Sequence, residues 1–97
     1  MKIFKDKGHS EEVTTLDLGI VEAGSSANFT FYAYNDTQAE VKSLVFKIED
    51  REVKILQAPK ELGPKKGGEL TLEWKPSVTL KQGLRARLEI SGIELWS

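Results

Sequence analysis

Apolar and polar side chains alternate in three stretches of this chain. Ala27, Phe29, Phe31 and Ala33 share one parity while Asn28, Thr30, Tyr32 and Tyr34 take the other, the two-residue period of a strand with one face on a core. Leu70, Leu72 and Trp74 repeat the alternation and stop at Pro76, which cannot donate to a ladder; Leu84, Ala86, Leu88 and Ile90 repeat it after Gly83. With the weaker segments added, the pattern predicts strands at about 12 to 18, 26 to 34, 40 to 48, 53 to 57, 68 to 75 and 84 to 90, with a last short piece at 93 to 96. No run of ten or more residues carries a helical period.

The separators are turn chemistry: Ala23-Gly24-Ser25, Asn35-Asp36, Glu49-Asp50-Arg51-Glu52, Lys81-Gln82-Gly83, and Gly63-Pro64-Lys65-Lys66-Gly67-Gly68, read as a mobile hairpin loop. Short strands joined in this way predict two packed antiparallel sheets. The expected fold is therefore all-β: a single antiparallel β-sandwich of about seven strands. Phe29, Phe31, Leu72, Trp74 and Leu88 are expected in its core. Residues 1 to 10 are polar apart from Met1, Ile3 and Phe4 and are expected to form a flexible tail, leaving 11 to 97 as the domain.

The C-terminus breaks the pattern. Ile93 and Leu95 have the opposite parity from Leu84, Ala86, Leu88 and Ile90, so a regular continuation would turn them outward unless Ser91-Gly92 reset the phase as a bulge or turn. Ile93, Leu95 and Trp96 are expected as a protein interface, because large apolar residues near a chain end are expensive to leave in water. Tyr32 and Tyr34, on the outward parity of their strand, are the second candidates.

Composition narrows the chemistry. The 97 residues suit one domain, and a formal net charge of −1 lacks the positive field that nucleic acid or an anionic membrane favours. Residues 1 to 50 carry −4 and residues 51 to 97 carry +3. Without Cys there is no disulfide, thiolate nucleophile or thiolate zinc ligand. The start of the chain lacks a signal-peptide apolar run, so export by a signal peptide is not expected. His9, the one His, is expected to be solvated in the tail. Glu11-Glu12 and Glu49-Asp50 read as solvated turns, and the Gly-Lys segment lacks the order of a phosphate loop. Neither catalytic residue, metal site nor cofactor is expected. The sequons Asn28-Phe29-Thr30 and Asn35-Asp36-Thr37 are expected to be unmodified.

The succession Leu16-Asp17-Leu18-Gly19-x-Val21-x-x-Gly24-x-Ser26, Phe29-x-Phe31-x-Ala33-x-Asn35, Leu70-x-Leu72-x-Trp74-x-Pro76 and Gly83-Leu84-x-Ala86-x-Leu88-x-Ile90 resembles the ASH type of Ig-like domain. This group is named for the abnormal-spindle and hydin proteins and is related to the major sperm protein domain. The resemblance covers about residues 13 to 90 and implies an Ig-like sandwich that carries protein contacts and has no catalytic residue. Such domains have a strand after the one formed by Leu84 to Ile90, which here is expected to be short or missing. The resulting expectation is a non-enzymatic structural or docking subunit of a larger assembly, joined by strand addition or self-association. Its most specific form is an accessory protein on the head, neck or tail of a bacteriophage virion. The rivals are a cytoplasmic ASH-like adaptor for a peptide or cytoskeletal partner, and a carbohydrate-binding module using Tyr32, Tyr34 or Trp96.

Overall fold

Each predicted alternation becomes a ladder. The computed structural model describes residues 1–78 and 83–96. Among them it forms β1 (Lys2–Phe4), β2 (Glu12–Val13), β3 (Leu16–Gly19), β4 (Ala27–Tyr34), β5 (Glu40–Ile48), β6 (Val53–Gln57), β7 (Gly67–Trp74), β8 (Leu84–Ala86) and β9 (Leu88–Leu95), with no helix. One layer has the order β2-β1-β4-β7-β6. Facing it are the antiparallel pairs β3–β8 and β5–β9; only Arg87 separates β8 from β9, so the two pairs form one interrupted layer. The architecture is an all-β antiparallel sandwich.

The pairing of β4 with β7 runs from Ala27 opposite Trp74 to Tyr34 opposite Gly67 and forms the centre of the larger layer. Its inward side chains Phe31, Ala33, Leu70, Leu72 and Trp74 are buried, and Phe29 packs half-buried against them. Burying a large apolar side chain of this kind stabilises by about 1.5 to 3 kcal/mol. The opposite layer contributes Leu16, Leu18, Val41, Leu44, Phe46 and Ala86 to the same core, while Leu88 and Ile90 are half-buried at its margin. The positive φ angles of Gly19 and Gly24, 66° and 84°, match a register shift at the end of β3 and the turn before β4.

Two expectations are corrected at the N-terminus. Residues 1 to 10 are not a tail: β1 lies between β2 and β4, with Ile3 on the core and Phe4 buried on the outer side. The polar run after Phe4 is a turn tied by Asp6, whose carboxylate accepts from the amides of Ser10 and Glu11 at 2.9 and 2.8 Å and from Ser10 Oγ at 2.7 Å. The strand expected at 12 to 18 also divides. At Thr14-Thr15 the chain leaves one layer, where β2 pairs with β1, and enters the other, where β3 pairs with β8. These changes raise the count to nine strands among the described residues.

The loop at 63 to 68 is not a mobile hairpin either. The Asn35 side chain, fully buried, donates from Nδ2 to the carbonyls of Ala39, Leu62 and Gly63 at 2.7, 3.1 and 3.1 Å, and its Oδ1 accepts from Thr37 Oγ1 at 2.7 Å. The Asn35 amide also donates to the Lys66 carbonyl at 2.9 Å. One asparagine thus fastens the β4–β5 turn to the loop before β7. Its amide nitrogen is committed to the interior in the folded chain, whereas Asn28 of the other sequon is exposed.

A parity reset occurs near the C-terminus, on the partner strand. β5 and β9 pair Lys42 with Ile93 and then Val45 with Ser91, so Ser43 and Leu44 bulge, Ser43 at φ 54°. Leu44 turns into the core against Gly92, where an added Cβ would stand 2.7 Å from Val41 Cγ1 and 3.0 Å from Leu44 Cδ2. Glycine at 92 makes room for the bulge, and β9 keeps its phase with Ile93 and Leu95 outward.

Candidate docking face

On the outer side of the β5–β9 ladder the register places Leu95 beside Glu40, Ile93 beside Lys42 and Ser91 beside Val45. The apolar members are exposed to 46% at Leu95, 57% at Ile93 and 46% at Val45, and Trp96, just beyond β9, to 65%. Lys42 forms an ion pair with Glu40 at 3.6 Å, and Trp96 Nε1 donates to Glu94 Oε2 at 3.1 Å. Charged groups that can be hydrated beside apolar groups left in water are the composition of a contact surface.

Two of the five expected interface residues, Ile93 and Leu95, therefore lie on one face, and Trp96 follows them beyond β9 beside Glu94. Ile93 and Leu95 are not a loose terminal segment, however, because their backbone pairs with Lys42 and Glu40 of the chain's own β5. Their side chains remain available, and their main chain on that edge is used. Val45 was not anticipated. Its signal was the apolar spacing Val41, Leu44, Phe46, in which a step of three interrupts steps of two and shifts one apolar residue to the outer parity.

The tyrosines go elsewhere. Tyr34 joins an aromatic group with His9, at a centroid distance of 4.6 Å, and Phe4, at 6.2 Å; Phe4 and His9 are 5.2 Å apart, edge to face. His9 lies over Gly67, where a Cβ would be 3.0 Å from its Nε2, so the solvated-tail expectation for this residue is corrected. The ring serves to clamp the β1–β2 turn on the outer side of β4. Tyr32 lines a shallow cavity of about 200 Å³ with Lys7, His9 and Glu69. Tyr32 and Tyr34 are thus separated from Ile93, Leu95 and Trp96, which lie on the opposite layer.

Two carboxylates are held ionised by local geometry. Asp6 has its pKa lowered by the hydrogen bonds from Glu11 and Ser10 described above. At Asp36 burial pushes upward, but the Met1 ammonium, 3.3 Å from Oδ1, together with Lys2, leaves the pKa lowered overall. Among the described residues no three His, Asp or Glu side chains converge as a cation site. No protein-family model, curated protein or solved structure matches this chain.

Proposed function

We propose that this chain is a non-enzymatic structural or docking module that joins a larger protein assembly through the outer face of β5 and β9. The observation that carries the reading is the exposed group Val45, Ile93 and Leu95, held by a paired ladder whose backbone is already ordered. A preformed surface loses little conformational entropy when it docks, so burying these side chains translates more fully into affinity. The finer form of the proposal is an Ig-like accessory subunit of a bacteriophage virion, where many copies of a small domain decorate a repeating surface.

Sedimentation of the chain over a range of concentrations tests the face. Association that disappears in the double variant Ile93→Lys and Leu95→Lys, at unchanged melting temperature, supports it. Association that persists in that variant rules it out. The sugar-platform alternative has less support, because Tyr34 is stacked in the chain's own aromatic group rather than presented as an open ring.

A further inference from the structure

β9 has a second edge. Among the described residues it pairs with β5 alone, because β3, its neighbour across β8, departs at Thr14-Thr15 to become β2 in the other layer. Along Leu88–Leu95 the five-stranded layer is therefore faced by two described strands, with Ile3 of β1 buried in the core and Val13 of β2 half-buried at its margin. Two adjoining cavities share Met1 and Ile90 in their walls: one of about 220 Å³ lies between β1–β2 and β9, and one of about 420 Å³ continues from it under the β5–β9 ladder as far as Glu94. The smaller is lined by Ile3 and Val13 on one side and by Leu88 and Ile90, at the two-residue spacing of strand positions, on the other; the larger is lined by Val41 and Leu44 beside Ile90.

We propose that this cleft accepts one extended segment from a partner protein, added antiparallel to β9, with apolar side chains at alternate positions turned into the cleft. This site is distinct from the outer docking face and does not depend on it. The free edge offers unpaired main-chain groups over a strand about 26 Å long at ~3.3 Å per residue, which only another extended backbone complements along its length. The layered geometry argues against a second whole copy. β1 and β2 extend beneath the vacant position, so two sandwiches brought edge to edge there would collide through their larger layers, whereas a single strand fits above them.

Charge selects the first residue of the incoming segment. Lys2 on the cleft wall is engaged by Glu12 at 3.9 Å and Asp36 at 4.0 Å, while the exposed Glu94 carboxylate, which accepts from Trp96 Nε1 at 3.1 Å, forms no ion pair among the described residues. An antiparallel segment places its N-terminal residue beside Glu94, so a lysine or arginine belongs there.

The test titrates the isotope-labelled full chain with a nine-residue synthetic peptide that begins with lysine and then alternates valine or isoleucine with threonine. Saturable shifts at Leu88, Ile90 and Val13 are expected, with slowed amide exchange along β9. Methylating one alternate set of peptide amides should weaken binding about tenfold or more and methylating the other set should barely change it, because one edge of the added strand faces β9. Replacing the leading lysine with glutamate, or Val13→Arg at unchanged melting temperature, should also weaken binding. No saturable binding at about millimolar peptide overturns the proposal, as do equal effects of the two methylation sets or shifts confined to Ile93 and Leu95. Concentration-dependent shifts at Leu88 and Ile90 without peptide would assign the cleft to a second copy and likewise overturn it.

Discussion

Asn35 shows how much one side chain decides. It is the buried polar residue of the core region, and its Nδ2 serves three carbonyls contributed by two separate loops. Asn35→Ala would remove the donor that joins the two loops, leaving Leu62 and Ala39 only their bonds from the Val41 amide and Thr37 Oγ1, so a loss of about 1 to 3 kcal/mol is expected from the denaturation midpoint. Asn35→Asp should be no better, since a carboxylate cannot donate to carbonyls. Trp74 presents the reverse case: its ring is 1% exposed and its Nε1 has no hydrogen-bond partner. Trp74→Ala should therefore cost about 3 to 5 kcal/mol through the cavity it leaves, and Trp74→Phe much less, because the phenyl ring refills part of the space and removes an unpaired donor. Equal losses in the two variants would show that the indole nitrogen contributes to stability.

At the level of elements, the turn between β1 and β2 and the bulge in β5 depend on short-range chemistry. Asp6 and Asp36 both have folded pKa values below the ordinary 3.8. Their contribution to stability is accordingly complete above the unfolded value and lost as pH falls through the lowered folded values. Acid titration should loosen the β1–β2 turn below about pH 4, seen as loss of the Ser10 and Glu11 amide protection, and Asp6→Asn should make the fall in stability between about pH 5 and 2 shallower. Gly92→Ala should destabilise by about 1 to 3 kcal/mol, because the new methyl meets a β-branched neighbour, Val41, which has few alternative rotamers. Chemical shifts of Ser43 and Leu44 would report whether the bulge opens to relieve it.

For the whole molecule, the two sides of β9 have separate consequences. Removing residues 93 to 97 would unpair Glu40 and Lys42 and uncover Val41, whose main chain stays bonded to Leu62, as well as delete the docking side chains, so the truncated chain should lose stability along with any association. Substituting the exposed Ile93 and Leu95 with lysine should shift the denaturation midpoint by less than about 0.5 kcal/mol, as is usual for surface positions. That contrast separates a role in folding from a role in docking. A truncation as stable as wild type would mean that the last three pairs of the β5–β9 ladder contribute nothing.

The chain's local pattern was sufficient for the all-β class, for the borders of β4 to β7 within a residue or two, and for the inward set at Phe31, Leu72 and Trp74. Alternation along a strand is a local property, and the side chains that follow it decide which face is wetted. It located the break in parity at Ser91-Gly92 but left open whether Ile93 and Leu95 turn outward. Tertiary structure alone decided which strands are neighbours and what becomes of isolated residues. Ile3 and Phe4 become β1 only because β4 offers an edge to pair with, and His9 leaves solvent only because Tyr34 and Gly67 lie beneath it. Asn35 is a turn residue by composition and a fastener only once Leu62 and Gly63, distant in sequence, are brought to it. The open edge of β9 belongs to the same category. A strand's sequence records its two faces, but its two edges are backbone, alike for every residue, and whether an edge is covered depends on where the rest of the chain has gone.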